Sequence, residues 1–247
     1  MTLSADERAR YSRMLSLRDF DESKMQAIKD TQIAVVGAGG LGSNSLRLLT
    51  SLGFGRITII DKDVVELSNI QRQNLYHTDD IGKPKASTAA KRLSELNPHV
   101  ELEYKNTEID SNNASKLLKD TDLVIDGLDS FAARRTLNVA CFELGEPFVF
   151  AGAVGYYSNL STFVPGKTCC FQCVMKGAED RSENTVEEIG ITPELLQLVT
   201  AIQVREAVLL VTSGKSKLMN KLMTIDLAAL TFDTFDIAQD SNCRICS

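Results

Sequence analysis

Histidine is scarce in this chain: two in 247 residues, His77 and His99. A hydrolase built on a Ser-His-Asp relay would have few bases to choose from, and the G-x-S-x-G elbow that presents such a serine is also missing. Both histidines are therefore read as non-catalytic. Positive charge is in deficit as well, with 27 Lys and Arg against 33 Asp and Glu and a formal charge of -6. A nucleic-acid surface needs clustered cations, so nucleic acid is not an expected partner. The amino terminus, MTLSADERAR, is charged from its fifth residue and lacks the apolar core of a signal peptide. No run approaches the roughly 18 apolar residues of a membrane span, so the expectation is a cytoplasmic protein with no membrane partner. There is no G-x-x-x-x-G-K-[ST] loop, no internal repeat and no low-complexity linker. At 43% hydrophobic, the chain can bury one substantial core.

What is present is alternation. QIAVV (32–36), RITIID (56–61), VELEYK (100–105), DLVIDGLD (122–129) and PFVFAGAV (147–154) read as strands. Between them SNSLRLLTSLG (43–53), PKASTAAKRLSEL (84–96), NNASKLLKD (112–120) and FAARRTLNVACFELG (131–145) carry helical spacing. This pattern predicts an α/β, Rossmann-like, mostly parallel sheet with helices on both faces. Two helices, about 5–17 and 22–29, precede it. Beyond Val154, YYSNLSTFVPG and LMTIDLAALTFDTFDI predict strands of an antiparallel appendage, with a long helix, TPELLQLVTAIQVREAVLLVTSG, between them. The expected organisation is a single domain, 1–247: helices in 1–30, a nucleotide-binding core in 31–154 and an antiparallel C-terminal extension in 155–247.

The stretch VVGAGGLGS joins the first strand to its helix. Gly37, Gly39, Gly40 and Gly42 form a turn where missing β-carbons let the backbone approach a phosphate, and a helix N-terminus favours negative charge. Gly40, the extra glycine in the pattern, is expected to bring the backbone close to the nucleotide phosphates. Asp61 ends the second strand, 24 positions after Gly37, where a carboxylate can bond ribose hydroxyls; Asp63 shares that role or is simply solvated. To this point NAD and ATP fit equally. DVVELSNIQRQNLY then adds Asn69, Arg72 and Gln73, and GKPKAS adds Lys85. Two cations behind the turn favour a triphosphate, whose tail carries more charge than a dinucleotide pyrophosphate; ordinary surface charge is the alternative for both. Asp126 and Asp129 stand where a strand leaves the sheet at the ligand-binding edge. Asp129 is assigned to Mg²⁺, and Asp126 to a helix cap or a supporting role.

CFQC at 170–173 and CRIC at 243–246 match a Cys₄ zinc site formed by Cys170, Cys173, Cys243 and Cys246, across 69 intervening residues. Four thiolates leave no open coordination position, so such a zinc would be structural; a disulfide pair or redox thiols are the alternatives. Cys141 reads as a core thiol, and Cys169 has no evident role.

GAGGLG, the ID-x-D strand end, LSNIQRQ, GKPKA, the D-x-x-D loop, NVACF and the paired C-x-x-C together resemble the ThiF/MoeB/HesA family, relatives of ubiquitin-activating enzymes, from about Arg10 to Cys246. The resemblance implies ATP- and Mg²⁺-dependent adenylation of the C-terminal glycine of a ubiquitin-fold sulfur-carrier protein ending in Gly-Gly, by a homodimer. It implies nucleotide contacts by Gly40, Asp61, the segment Ser68, Asn69, Ile70, Gln71 and Arg72, then Lys85, Asp129 and Ser130. It also implies that Arg13, in RYSRM, serves the neighbouring subunit's triphosphate, although Met14 replaces the family's usual Gln. Some relatives carry a cysteine in the segment crossing the active site. Here AEDRSENTVEEIGITPEL has none, with Thr185 near that place, so the acyl-adenylate is the expected end product and sulfur comes from a separate persulfide donor. The carrier itself, and the choice between thiamin, molybdopterin and tRNA thiolation pathways, is not written in the sequence. A Rossmann-type NAD-dependent oxidoreductase and a binding scaffold without chemistry are the rival readings.

Overall fold

The computed structural model describes residues 3–247, so the first two residues of the expected amino-terminal segment lie outside the described residues. Eight strands form one sheet in the order β3-β2-β1-β4-β5-β6-β7-β8. The first five, β1 (Gln32–Val36), β2 (Arg56–Ile60), β3 (Glu101–Lys105), β4 (Leu123–Asp126) and β5 (Phe148–Val154), are parallel. β6 (Tyr157–Phe163), β7 (Lys221–Asp226) and β8 (Thr231–Asp236) continue the same sheet antiparallel. Sequential strands wind outward from β1 to β3, then return to β4 on its other side. The crevice between β1 and β4 is therefore the topological switch point, where open α/β sheets bind ligands.

Parallel strands covered on both faces need apolar residues on both, and β1 supplies them from Ile33 to Val36. Its Ile33 and Val35 join Ile57, Ile59, Leu123 and Ile125 on one face, while Ala34 and Val36 join Ile60, Val124 and Phe148 on the other. The helices are α1 (Ala5–Arg10), α2 (Ser12–Leu15), α3 (Glu22–Asp30), α4 (Gly40–Leu52), α5 (Lys85–Leu96), α6 (Ala114–Leu118), α7 (Phe131–Leu144), α8 (Phe171–Val174), α9 (Val186–Ile189) and α10 (Pro193–Ser213). The first face packs against α3, α4, α5 and α10, the second against α6, α7 and α8.

Three features depart from the sequence reading. The helix expected over 5–17 is broken at Tyr11, which is buried. Its hydroxyl lies where a side chain on Gly53 would go and accepts Asn97 Nδ2 at 2.9 Å, so a tertiary anchor overrides local helical spacing. α4 starts at Gly40, inside the glycine pattern and three residues before the expected start. The long helix α10 belongs to the core, packed against α4 and β5. By length and composition it could cross a membrane, yet half of its apolar stretch is buried within the protein. There Gln203 donates to the carbonyls of Asp126 (2.8 Å) and Val149 (2.9 Å), and Glu206 accepts the Leu218 amide. Those buried polar bonds suit a core helix, since lipid would offer them no partners.

Candidate functional site

The glycine turn closes on itself and on β4. Gly37, at φ +92°, would bring a Cβ within 2.4 Å of the Gly127 carbonyl oxygen, and a Cβ on Gly42 would fall 1.8 Å from the Gly37 oxygen. Backbone bonds Gly37 N to Ile60 O and Gly127 N to Val36 O, both 2.8 Å, tie the turn to the ends of three strands. The bare side of Gly40 faces Leu196 of α10, whose Cδ1 would be 2.9 Å from a Cβ there. A Cβ there would have to displace that leucine methyl, a packing constraint the sequence reading did not supply. Gly39 alone of the four has room for a side chain, a Cβ there meeting only Gln73 Nε2 at 3.8 Å. Gly39 also precedes α4 without any side-chain cap, so the first amides of this helix point outward with their positive dipole end unclaimed.

Lys85, the first residue of α5, is only 6% exposed, which excludes ordinary surface charge. Its Nζ lies 3.1 Å from Asp63 Oδ2, so Asp63 partners a cation while its side chain stays half exposed to solvent. Asp61 is occupied differently: Oδ2 accepts the Ala38 amide (2.6 Å) and Oδ1 the Asp63 amide (2.7 Å), pinning both loops around the turn. Burial pushes its carboxyl above the usual carboxylate range, against the opposing pull of those amides and Lys85. Arg72 donates to the Ser68 carbonyl at 2.7 Å, and among the described residues no carboxylate pairs with it. Within 68–72, Ser68 and Gln71 are exposed, and Asn69 is buried with its Oδ1 accepting the Glu66 amide. Ile70 packs into the first core face.

Across the crevice, Asp126 is fully buried and receives Arg134 Nε at 3.0 Å, with the Leu128 amide on its other oxygen. Burial raises its pKa while Arg134 opposes the rise. Arg134 also donates to the carbonyls of Leu128 and Ala151 and lies over the Phe150 ring. Asp126 thus shapes the 126–130 loop. It does not cap α7; Ser130 does, accepting the Ala133 amide at 3.2 Å. Asp129 is exposed and, among the described residues, pairs with no cation. Arg13 is exposed on α2, near the end of α4 away from the glycine turn. Tyr11, two residues before it, abuts Gly53, and a 13-residue helix separates Gly53 from the glycine turn by about 20 Å.

Gln73, already singled out in the sequence, and three residues that the motifs did not flag, Asn44, Tyr76 and Asp180, complete the arrangement. Asn44 Nδ2 donates to the carbonyls of Gly40 (2.7 Å) and Arg72 (3.2 Å), locking the arginine segment to α4. The buried Tyr76 hydroxyl donates to Ala38 O at 2.8 Å. Gln73 is buried beside Gly39 with its Oε1 unpartnered. Asp180, from the crossing segment, accepts the Phe131 and Ala132 amides at 2.6 and 2.9 Å and so seals the start of α7. Gly127 stands visibly in IDGLD; the other contacts span long sequence separations and leave no local pattern. Thr185 caps nothing with its side chain and donates to Ser182 O. His99 forms a surface contact with Asp6.

Cys170, Cys173, Cys243 and Cys246 converge with their sulfurs all within 4.8 Å of one another, and none is in a disulfide. Separations of 3.9 Å (170–173), 3.5 Å (170–243) and 3.4 Å (173–246) match the edge of about 3.8 Å set by ~2.3 Å Zn–S bonds in a tetrahedron. Burial would raise the Cys243 thiol, but the amides of Ile245 and Cys246 and the neighbouring sulfurs bring it down to about 7. The donor set is thus one that zinc fits. Cys141 and Cys169 lie outside the cluster: both are buried, and burial pushes Cys169 up to about 12, as inert core thiols behave.

The chain matches the family model described as "ThiF family" over residues 11–245. It is 30% identical to molybdopterin-synthase adenylyltransferase of Escherichia coli over 99% of this chain and 98% of that protein. It is 31% identical to the sulfur carrier protein adenylyltransferase of Thermus thermophilus, covering 100% and 93%. Among solved structures, E. coli MccB superposes with a TM-score of 0.85 at 22% identity, over 99% of this chain and 75% of that one, a likeness of fold. With the glycine turn, the buried lysine and the paired cysteines brought together as described, this chain belongs to the ThiF family.

Proposed function

We propose that the protein adenylates the C-terminal glycine carboxylate of a ubiquitin-fold sulfur carrier ending in Gly-Gly, consuming ATP with Mg²⁺ and releasing pyrophosphate. The observation that carries this reading is the pairing of an uncapped helix N-terminus with two cations, the buried Lys85 and the acid-free Arg72. Such charge suits a triphosphate better than a dinucleotide. The names of the adenylyltransferase relatives point the same way.

The whole chain would act as one adenylation domain, in the cytoplasm, and as a homodimer whose Arg13 serves the partner's site. The carrier's carboxylate is already ionised at neutral pH, so no general base is needed and neither histidine is drawn in. It attacks the α-phosphorus, forming the acyl-phosphate bond as the bond to pyrophosphate breaks. Lys85, Arg72 and the α4 amides orient the phosphates and stabilise the charge that moves onto the leaving group. Asp61, fixed by its two amides, would bond the ribose hydroxyls. Asp129, with no cation of its own, would hold Mg²⁺, which when bound neutralises phosphate oxygens. Without a cysteine in 178–195, the reaction ends at the acyl-adenylate, and a separate persulfide donor supplies sulfur.

The test is carrier-dependent exchange of labelled pyrophosphate into ATP, expected with at least one of a panel of Gly-Gly carriers. No exchange with any carrier, together with tight NAD(H) binding in a thermal-shift comparison against ATP, would overturn the reading.

A further inference from the structure

Between α8 and α10 the chain changes sides of the sheet, since α8 packs on the face of α6 and α7 and α10 on the face of α4. The connecting segment is moored at two points. Near its start, Asp180 accepts the amides of Phe131 (2.6 Å) and Ala132 (2.9 Å), and Arg135 donates to the Ala178 carbonyl. Near its end, the Gly190 carbonyl accepts the Gly155 amide at 2.8 Å, and the Thr192 amide donates to Gly155 O at 3.4 Å. Phe131 opens the helix after β4, and Gly155 directly follows β5. Residues 178–192 therefore form a strap over the carboxyl ends of these two strands. In its middle, the bonds of Thr185, Ile189 and Gly190 end on Ser182, Thr185 and Val186, within the strap itself. Arg181, Glu183, Glu187, Glu188 and Ile189 there are exposed.

We propose that Asp180 is a positioning residue for the second substrate: seated on the first amides of α7, it latches the strap so that the carrier's C-terminal tail is held between strap and sheet edge. This role rests on the adenylation reading above. A helix opens with four amides that lack a partner within it, and its positive dipole end favours an anion. In α7, Ser130 takes the Ala133 amide and Asp180 the two before it, so a carboxylate of the strap fills that end. The same bonds fix the start of the helix that follows Asp129 and Ser130. The groups assigned to the nucleotide, Gly39, Asp61, Arg72 and Lys85, belong to the chain around β1, β2, α4 and α5. The strap stands over β4 and β5, on the other side of the switch point, which is the side left for the second substrate.

The test compares the full-length wild type with Asp180→Asn, which keeps the shape of the side chain but loses its charge and one acceptor. Losing a cap of this kind shifts an opening equilibrium by about 5–30-fold. In hydrogen–deuterium exchange of the protein alone, the amides of 178–192, Phe131 and Ala132 should exchange faster by about that factor while β1 and β4 are unchanged. In pyrophosphate exchange with a Gly-Gly carrier that wild type activates, KM for the carrier should rise by a similar factor, with kcat and the Kd for ATP unaltered. Strap exchange at the wild-type rate overturns the latch. Faster exchange with a wild-type KM makes Asp180 a plain helix cap and overturns its role toward the substrate. A wild-type protein that activates no carrier overturns the adenylation reading and this role together, so the two failures are told apart by the wild-type assay. Arg135→Met removes the neighbouring tie to Ala178, should move both readouts in the same direction, and decides the matter if Asp180→Asn does not fold.

Discussion

At the carboxyl end of β1, Gly37, Gly42 and Gly127 approach so closely that no side chain fits between them. Asp61 and Asp126 have every oxygen engaged nearby. The four cysteines are a different construction: two short segments, 170–173 and 243–246, brought together beside a hairpin whose last strand, β8, leaves all six of its residues exposed. The first region is held by contacts that the polypeptide makes with itself, so its shape precedes any ligand. The second brings together four sulfurs that gain their full attraction only around a cation. Preorganisation and ligand-dependent folding thus coexist on one sheet.

Metal removal tests that contrast most strongly. Structural zinc contributes about 10–16 kcal/mol of apparent binding energy in finger peptides. Residues 238–247 form no helix or strand. Chelation, or Cys243→Ser, should therefore let this segment exchange its amide hydrogens like an unfolded chain while β1 and β4 stay protected. Uniform loss of protection across the sheet would show that the two regions are one cooperative unit, and the contrast would fail.

The next effect lies within the glycine turn. Gly42→Ala forces a Cβ onto the Gly37 carbonyl and should cost about 3 kcal/mol or more in denaturant melts, among the large values for a single substitution. Gly39→Ala makes only an ordinary van der Waals contact with Gln73 at negative φ and should change stability by about 1 kcal/mol or less, yet weaken ATP in a calorimetric titration. Equal stability losses at the two positions would mean that Gly39 is as enclosed as Gly42.

The preorganised half was legible in the sequence. β1, β2, β4 and β5 are covered on both faces, so their apolar runs declare themselves, and β4 ends in the residues expected at the crevice. The four cysteines were equally plain, because their spacing follows from coordination geometry rather than from the fold between them. What stayed hidden depends on distant partners. The break at Tyr11 needs Gly53 and Asn97, the packing neighbour of Gly40 is Leu196, and the cap on α7 comes from Ser130 and from Asp180, about fifty residues on. In the β7–β8 hairpin, TFDTFD carries apolar residues on both faces and buries neither, so its pattern says strand without saying which side is inside.

Acidification gives the smallest and most selective comparison. Asp61 and Asp126 have pKa values raised by burial, so the folded state binds their protons more tightly than the unfolded chain. Their contribution is fully present below the ordinary value of 3.8 and is lost as pH rises through the raised values, so mild acid should favour the nucleotide half. Protons also compete for the thiolates, so the same acidification should release metal. Zinc should therefore leave while the sheet remains folded. Glu7 carries the opposite sign. Burial works against its ionised form, but Lys29 and the Ser4 amide hold its pKa down to about 2. Its stabilisation, about 2 to 3 kcal/mol, is present above the ordinary 4.5 and is lost between there and pH 2. Thermal melts of wild type and Glu7→Gln should converge across that window, with zinc release already complete at higher pH in both. If metal release and sheet unfolding instead coincide in every melt, the cysteine cluster is holding the sheet together, and the division between a preformed half and an ion-dependent half is wrong.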